Sequence, residues 1–247
     1  MINLYNEDCL EAMKRINDES IDLILCDLPY GTTACKWDCI IDFDLLWKQY
    51  KRIIKDRSAI VLFGSQPFTS NLIMSNQKWF RYEWIWKKNK GSNFQSVKHQ
   101  PFKEHENICV FYKKKPTYNE QRIQRSESGK GRLKRKMNSE RGINPITKLK
   151  TITKKQDPET RAPSSLLYFN CEMGLHPTQK PVKLLEYLIK TYTNETDLIL
   201  DNCMGCGSTG IAAYNLNRRF IGIEKDKDIF ETASKRLKEH QRQLRLF

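Results

Sequence analysis

The sequence predicts an α/β protein built on a doubly wound, mostly parallel sheet of seven strands. Two observations carry this reading. Short β-branched runs alternate along the chain with amphipathic stretches, and two of the runs end in an aspartate followed by a turn rich in glycine or proline, as strands do at the ligand edge of an open parallel sheet. In chain order the first strand covers Ile2–Asn6 and the second Ile21–Cys26. A helix over Phe43–Ile54 leads to the third strand, Ala59–Phe63, and a helix over Phe68–Met74 to the fourth, Glu83–Trp86. The fifth strand is Ile108–Tyr112. Beyond a long polar stretch the alternation resumes with a helix over Val182–Tyr192, a strand at Leu198–Leu200, a helix over Ser208–Asn215, a strand at Phe220–Ile223 and a helix over Lys227–Gln241. The last helix sets Ile229, Ala233 and Leu237 on one face with charged residues elsewhere.

Composition excludes several classes. The 247 residues carry 43 Lys and Arg against 29 Asp and Glu, a net charge of +14. Apolar runs such as Ile60–Phe63 are far short of the roughly 20 residues that a membrane span requires. The start of the chain lacks the basic, apolar and small-residue zones of a secretory signal, so a cytoplasmic protein without membrane association is expected. The eight cysteines, at positions 9, 26, 35, 39, 109, 171, 203 and 206, are read as reduced thiols, and neither close pair is read as a metal site.

The excess charge is concentrated. Residues 113–161 hold 16 Lys and Arg against 5 Asp and Glu, with few large apolar side chains. Residues 113–165 are therefore read as a basic insert in a domain formed by residues 1–112 and 166–247. Each positive charge that lands on a polyanion releases counterions, which makes nucleic acid the expected partner.

Two turns carry candidate chemistry. Gly205-Cys206-Gly207-Ser208-Thr209-Gly210 fits a glycine-rich nucleotide cradle, with Glu224 ending the next strand 19 residues after Gly205, where a carboxylate meets ribose hydroxyls. Asp201, four residues before Gly205, would repel an anion and welcome an ammonium. The second turn, Asp27-Leu28-Pro29-Tyr30, joins a carboxylate, an aimed main-chain carbonyl and an aromatic face. Those parts suit a flat ring bearing an exocyclic amine: the Asp27 carboxylate and the Leu28 carbonyl each accept one amino hydrogen while Tyr30 stacks on the ring, leaving the nitrogen lone pair free to attack. Such a base must leave its duplex to reach the pocket.

Asp27–Tyr30 resembles the Asp-Pro-Pro-Tyr motif of amino-directed DNA methyltransferases, and Asp201–Gly210 resembles their S-adenosylmethionine motif. His176-Pro177-Thr178-Gln179-Lys180-Pro181 is similar to the family's His-Pro-Thr-x-Lys-Pro segment. The order of the three motifs matches the circularly permuted β class, whose fold is Rossmann-like and whose target-recognition region falls where the basic insert lies. The resemblance implies S-adenosyl-L-methionine as cofactor, held by Asp201, Met204, Gly205, Gly207, Ser208, Thr209 and Glu224, with His176, Thr178 and Lys180 closing the methionine end. Asn6-Glu7-Asp8-Cys9-Leu10 is similar to the run that meets the cofactor adenine, which brings in Asp8 and Cys9. Asp27, Leu28, Pro29 and Tyr30 become the catalytic residues, and Arg132, Lys134, Arg135, Lys136 and Arg141 the candidate contacts to double-stranded DNA.

This sequence departs from the family pattern where Leu28 replaces a proline, Asn202-Cys203 replaces Pro-Phe and Glu7 replaces a glycine. The reaction expected is site-specific methylation of adenine N6 by direct displacement, since Asp opens the motif more often in the adenine enzymes and Ser in the cytosine N4 enzymes. The alternatives are cytosine N4, an RNA substrate, an NAD-dependent oxidoreductase and a binding protein without activity. Attack at cytosine carbon five is not expected, because its cysteine nucleophile usually follows a proline and none of the nine prolines here is followed by Cys. A homodimer and a cognate restriction enzyme are compatible with the class and have no signature in the sequence.

Overall fold

The computed structural model describes residues 2–32, 38–131, 157–172 and 179–244. His176 and Thr178, and the five candidate DNA contacts Arg132, Lys134, Arg135, Lys136 and Arg141, lie outside the described residues. The chain forms two compact units, Met1–Asn119 with Ser165–Phe247, and Glu120–Ser164.

The larger unit is a sheet with helices on both faces. Its strands are β1 (Ile2–Asn6), β2 (Ile21–Cys26), β3 (Ile54–Gly64), β4 (Phe80–Ser92), β5 (Lys103–Phe111), β8 (Leu166–Tyr168), β9 (Leu198–Asp201) and β10 (Arg219–Glu224), in the spatial order β1-β10-β9-β2-β3-β5-β4-β8. β5 alone runs against the rest. Eight strands are thus present where seven were expected, because three residues of β8, paired through Leu166↔Ile85 and Tyr168↔Lys87, are too short to show a strand pattern.

Alternation within the central strands builds two cores. Leu23, Leu25, Val61 and Phe63 face one side with Ile199 and Phe220, while Ile24, Cys26, Ile60 and Leu62 face the other with Leu200 and Ile221. Strands buried on both faces have nearly continuous apolar sequences, as these do. The second side is covered by α1 (Cys9–Met13), α2 (Phe43–Ile53) and α3 (Phe68–Ser75), and the first by α4 (Val182–Tyr192), α5 (Ser208–Asn215) and α6 (Lys227–Leu244). The short α1 has no sequence periodicity to announce it. It is set instead by Asp8, whose carboxylate accepts the Leu10 amide at 2.9 Å as an N-cap.

Residues 113–119, expected in the insert, belong to the larger unit. Lys113 and Lys114 pair with Asp56 at 2.7 and 2.5 Å, and hydrogen bonds from these lysines hold its carboxyl down to about 2. Asn119 is strapped to the end of α4, its amide donating to the Thr191 carbonyl at 2.8 Å and its side chain to the Thr193 carbonyl at 2.9 Å. Within the smaller unit, β6 (Ile123–Gln124) and β7 (Thr160–Arg161) pair antiparallel, and Lys130 bridges Glu159 at 2.7 Å and Glu127 at 3.1 Å.

α4 is anchored by an aromatic hydrogen-bond cluster as well as by Leu184, Leu185, Leu188 and Ile189. The buried Tyr192 hydroxyl accepts the Trp84 indole N–H at 2.7 Å and lies 2.8 Å from the Tyr82 hydroxyl. Tyr192→Phe leaves that indole N–H buried without a partner and is expected to cost about 1–3 kcal/mol. The loss should appear as a lower urea midpoint with an unchanged slope.

Candidate active site

Strand order reverses between β2 and β9, from which the chain departs in opposite directions to β3 and β10. A crevice opens beyond the C-terminal ends of such a pair. Four carboxylates stand there on four neighbouring parallel strands: Asp8 just after β1, Glu224 ending β10, Asp201 ending β9 and Asp27 just after β2.

Each acid is held differently. Asp201 is 3% exposed and accepts the Cys203 amide at 3.2 Å, with hydrogen bonds to Thr209 and Cys26. Burial, reinforced by the nearby charge of Asp27, pushes its carboxyl up to about 6. No Lys or Arg among the described residues pairs with it. Glu224 accepts the Gly205 amide at 3.0 Å on one oxygen and the Asp226 amide at 2.9 Å on the other, and burial raises its pKa. Asp8, besides capping α1, lies 3.2 Å from the Lys225 ammonium.

The glycine-rich turn shows why its residue types are needed. Gly205 has φ of 50° and open space where a Cβ would stand, so its backbone faces the crevice uncovered. Gly207, with φ of 79°, opens α5 and packs on Leu237 and Ala233 of α6. Met204 is buried, its amide bonded to the Ile223 carbonyl at 2.9 Å. Ser208 and Thr209 are buried in the first turn of α5. Arg236 of α6 donates to the Cys206 carbonyl and the Ser208 hydroxyl, both at 3.0 Å, and fixes the turn from behind.

The substituted positions have structural occupations. Asn202 is buried and accepts the Tyr50 hydroxyl at 2.5 Å. The Cys203 thiol hydrogen-bonds with those of Cys26 and Cys9, contacts that raise its pKa well above the ordinary value. Cys9 is therefore part of a sealed thiol cluster under the turn. Leu28 is 3% exposed and anchors by core burial the turn that a proline would stiffen by its ring. Glu7 pairs with Arg15.

At the second turn, Tyr30 donates its hydroxyl to Asp27 Oδ1 at 2.6 Å and packs its ring on Phe68, centroids 4.9 Å apart. Asp27 Oδ2 accepts from the Lys180 ammonium. Lys180 is thus brought to Asp27, and its position follows from α4, which begins two residues later. Only 8% exposed, it also lies 3.3 Å from Glu106 Oε2 and 5.1 Å from the centroid of the Phe63 ring. Burial opposes its charge, but Asp27 and Glu106 hold its pKa above the ordinary lysine value. Glu106 in turn bonds Lys88 across the β4–β5 hairpin, and the two lysines outweigh burial to keep its carboxyl below the usual range. For Asp27 burial outweighs Lys180 and raises the pKa.

Trp84–Lys88 and His105–Phe111 are similar to family segments that flank the catalytic pocket, but sequence reasoning takes them as core strands and assigns Lys88 and Glu106 no chemistry.

The family model described as DNA methylase (N6/N4) matches residues 21–235. The chain belongs to this family of DNA methyltransferases. Among its relatives is the type II methyltransferase M.HinfI of Haemophilus influenzae, 30% identical over 263 residues that cover 94% of this chain and 67% of the relative. M.HpaI of Haemophilus parainfluenzae is 29% identical over 249 residues, covering 95% and 73%. The crystal structure of the M1.HpyAVI–SAM complex superimposes with a TM-score of 0.64 at 26% identity, covering 96% of this chain and 99% of that one. The doubly wound, mostly parallel fold expected of a DNA methyltransferase is therefore the fold present. No helix among the described residues is long and apolar enough to cross a membrane.

Asp201 gives this methyltransferase a measurable pH signature. Its carboxyl keeps a proton in the folded state up to about pH 6, whereas in the unfolded chain it ionises near 3.8. The stability it contributes is full below pH 4 and lost as pH rises through 6. Urea titrations should therefore show the stability of the wild type falling by about 3 kcal/mol relative to Asp201→Asn between pH 4 and pH 7.

Proposed function

We propose that this methyltransferase transfers the methyl group of S-adenosyl-L-methionine to the N6 amine of adenine in double-stranded DNA, by direct displacement on an extruded base. One observation carries the reading: a row of carboxylates, in which the buried Asp201 pairs with no Lys or Arg among the described residues, adjoins the Asp27–Tyr30 turn across the strand reversal. The cofactor's polar groups are an ammonium, a ribose diol and an adenine amine, beside a sulfonium cation. A site of acceptors, among which burial raises the pKa values of Asp201 and Glu224, fits that set of donors.

In this assignment Asp201 holds the ammonium, with Gly205, Gly207, Met204, Ser208 and Thr209 shaping the turn around the methionine end. Glu224 takes the ribose hydroxyls and Asp8 the adenine amine, with Cys9 behind them in the thiol cluster. His176 and Thr178 would close the methionine end. The bound cofactor supplies an electrophilic methyl. Asp27 and the Leu28 carbonyl accept the two hydrogens of the target amine, Pro29 stiffens the turn, and Tyr30 presents its ring to the base. Burial raises the affinity of Asp27 for a proton, which suits it to take the one that the amine gives up. Lys180, placed on Asp27 Oδ2, must shift toward Glu106 for the amine to enter. Lys180 is thus assigned to the target amine beside its place at the methionine end. Residues 113–165 are assigned to target recognition, with Arg132, Lys134, Arg135, Lys136 and Arg141 on phosphates.

The test is mass spectrometry of nucleosides from DNA incubated with the protein and methyl-labelled cofactor. Label is expected in N6-methyladenine. Label in N4-methylcytosine would overturn the choice of base and keep the mechanism, and no label in any base would overturn both. Asp27→Ala should lower turnover about 100-fold or more while cofactor affinity, followed by calorimetry, stays within about twofold. Asp201→Asn should do the converse, weakening the cofactor by at least about tenfold.

A further inference from the structure

The hairpin between β4 and β5 outruns the sheet. β3 ends at Gly64, opposite Asn107, whereas β4 and β5 continue through Trp86↔Glu106, Lys87↔His105 and Ser92↔Lys103. Residues 93–102 therefore overhang the C-terminal edge, on the side where Asp27 stands. The tip is well braced. Asn93, with φ of 67°, accepts the Lys103 amide at 2.9 Å and donates to the Pro101 carbonyl at 3.3 Å. Within the turn the Ser96 amide donates to the Asn93 carbonyl at 2.8 Å, and the Phe102 ring lies so close on Gly91 that a Cβ there would meet it at 2.5 Å.

This rigid tip presents apolar side chains to solvent. Phe94 is 69% exposed, Phe102 51% and Val97 41%, and Tyr168 of β8, also 69% exposed, is in register with Lys87 at the base of the hairpin. Half of the large apolar side chains exposed among the described residues are at this corner. Such exposure marks a surface that something covers. The charge indicates what: residues 87–103 contain five lysines and no acid, and Lys98 at the tip pairs with no carboxylate among the described residues. A braced aromatic in a segment of five lysines, with Lys98 at its tip, suits a stack of bases flanked by phosphates.

We propose that the β4–β5 tip docks on the DNA at the target nucleotide, with Phe94 entering the base stack as an apolar wedge and Lys98 neutralising an adjacent phosphate. This rests on the reading of the chain as an enzyme that acts on an extruded base. Extrusion leaves a gap and costs unstacking energy, which an apolar side chain in the gap offsets. The tip lies on the edge to which the base must be delivered.

Binding is measured first, by fluorescence anisotropy with a mixed-sequence duplex, which needs no turnover. Lys98→Ala should weaken it and lower the slope of log affinity against log salt by about one. Phe94→Ala should then raise KM roughly fivefold to tenfold on a paired duplex carrying the methylated sequence, but less than twofold when the target base is mismatched and already easy to extrude. Both variants should bind S-adenosylmethionine like the wild type. Variants that bind and turn over DNA like the wild type overturn the assignment, as does an equal Phe94→Ala defect on paired and mismatched duplexes. A dimer in sedimentation that Phe94→Ala dissolves would also overturn it, making the tip a protein interface. A wild type that binds DNA through Lys98 but transfers no methyl overturns the reading of the reaction and not that of the tip.

Discussion

The active site depends on one short parallel ladder. Leu23↔Ile199 and Ile24↔Leu200 join β2 to β9, the pair between which the strand order reverses. Because the chain turns away from this seam in both directions, the loops after β2 and β9 part and leave room between them. The register is fixed from both faces at once. A slip of one residue would turn Leu23 and Leu25 into the core that Ile24 and Cys26 occupy, so two packed cores resist it together.

That seam gathers negative charge in a place of low polarity. Ordinary stability would favour neutralising every buried carboxylate, and the protein does so selectively. Asp27 has Lys180, Glu106 has Lys88 and Lys180, and Asp8 has Lys225, while Asp201 and Glu224 pair with no Lys or Arg among the described residues. In the function proposed, the ammonium of the cofactor supplies the balancing charge. The local instability and the affinity for such a ligand have the same origin.

Much of this was legible in the sequence, and the reason is locality. β1, β2, α4 and α5 start and stop where the apolar pattern does, and the Asp27 and Asp201 turns each carry their chemistry within a few residues. The elements that escaped lack local signal: α1 is one capped turn, β8 is three residues, and the outer halves of β4 and β5 are polar because they pair beyond the packed sheet. Glu106 and Lys88 escaped for a different reason. Their role depends on Lys180, distant in sequence, and on burial that only the assembled sheet supplies. The same distance hid the ion pair of Lys180 with Asp27, which the sequence motif alone does not show.

The two points where the chain leaves and re-enters the larger unit are each tied down by that unit. Asn119 is strapped to the end of α4, and the Ser165 carbonyl accepts the Ile85 amide at 2.8 Å. Residues 120–164 can therefore drift, lengthen or be exchanged for another segment while both attachment points stay in place. Under the proposed assignment of this segment to target recognition, what the enzyme reads can change without disturbing the turns after β2 and β9.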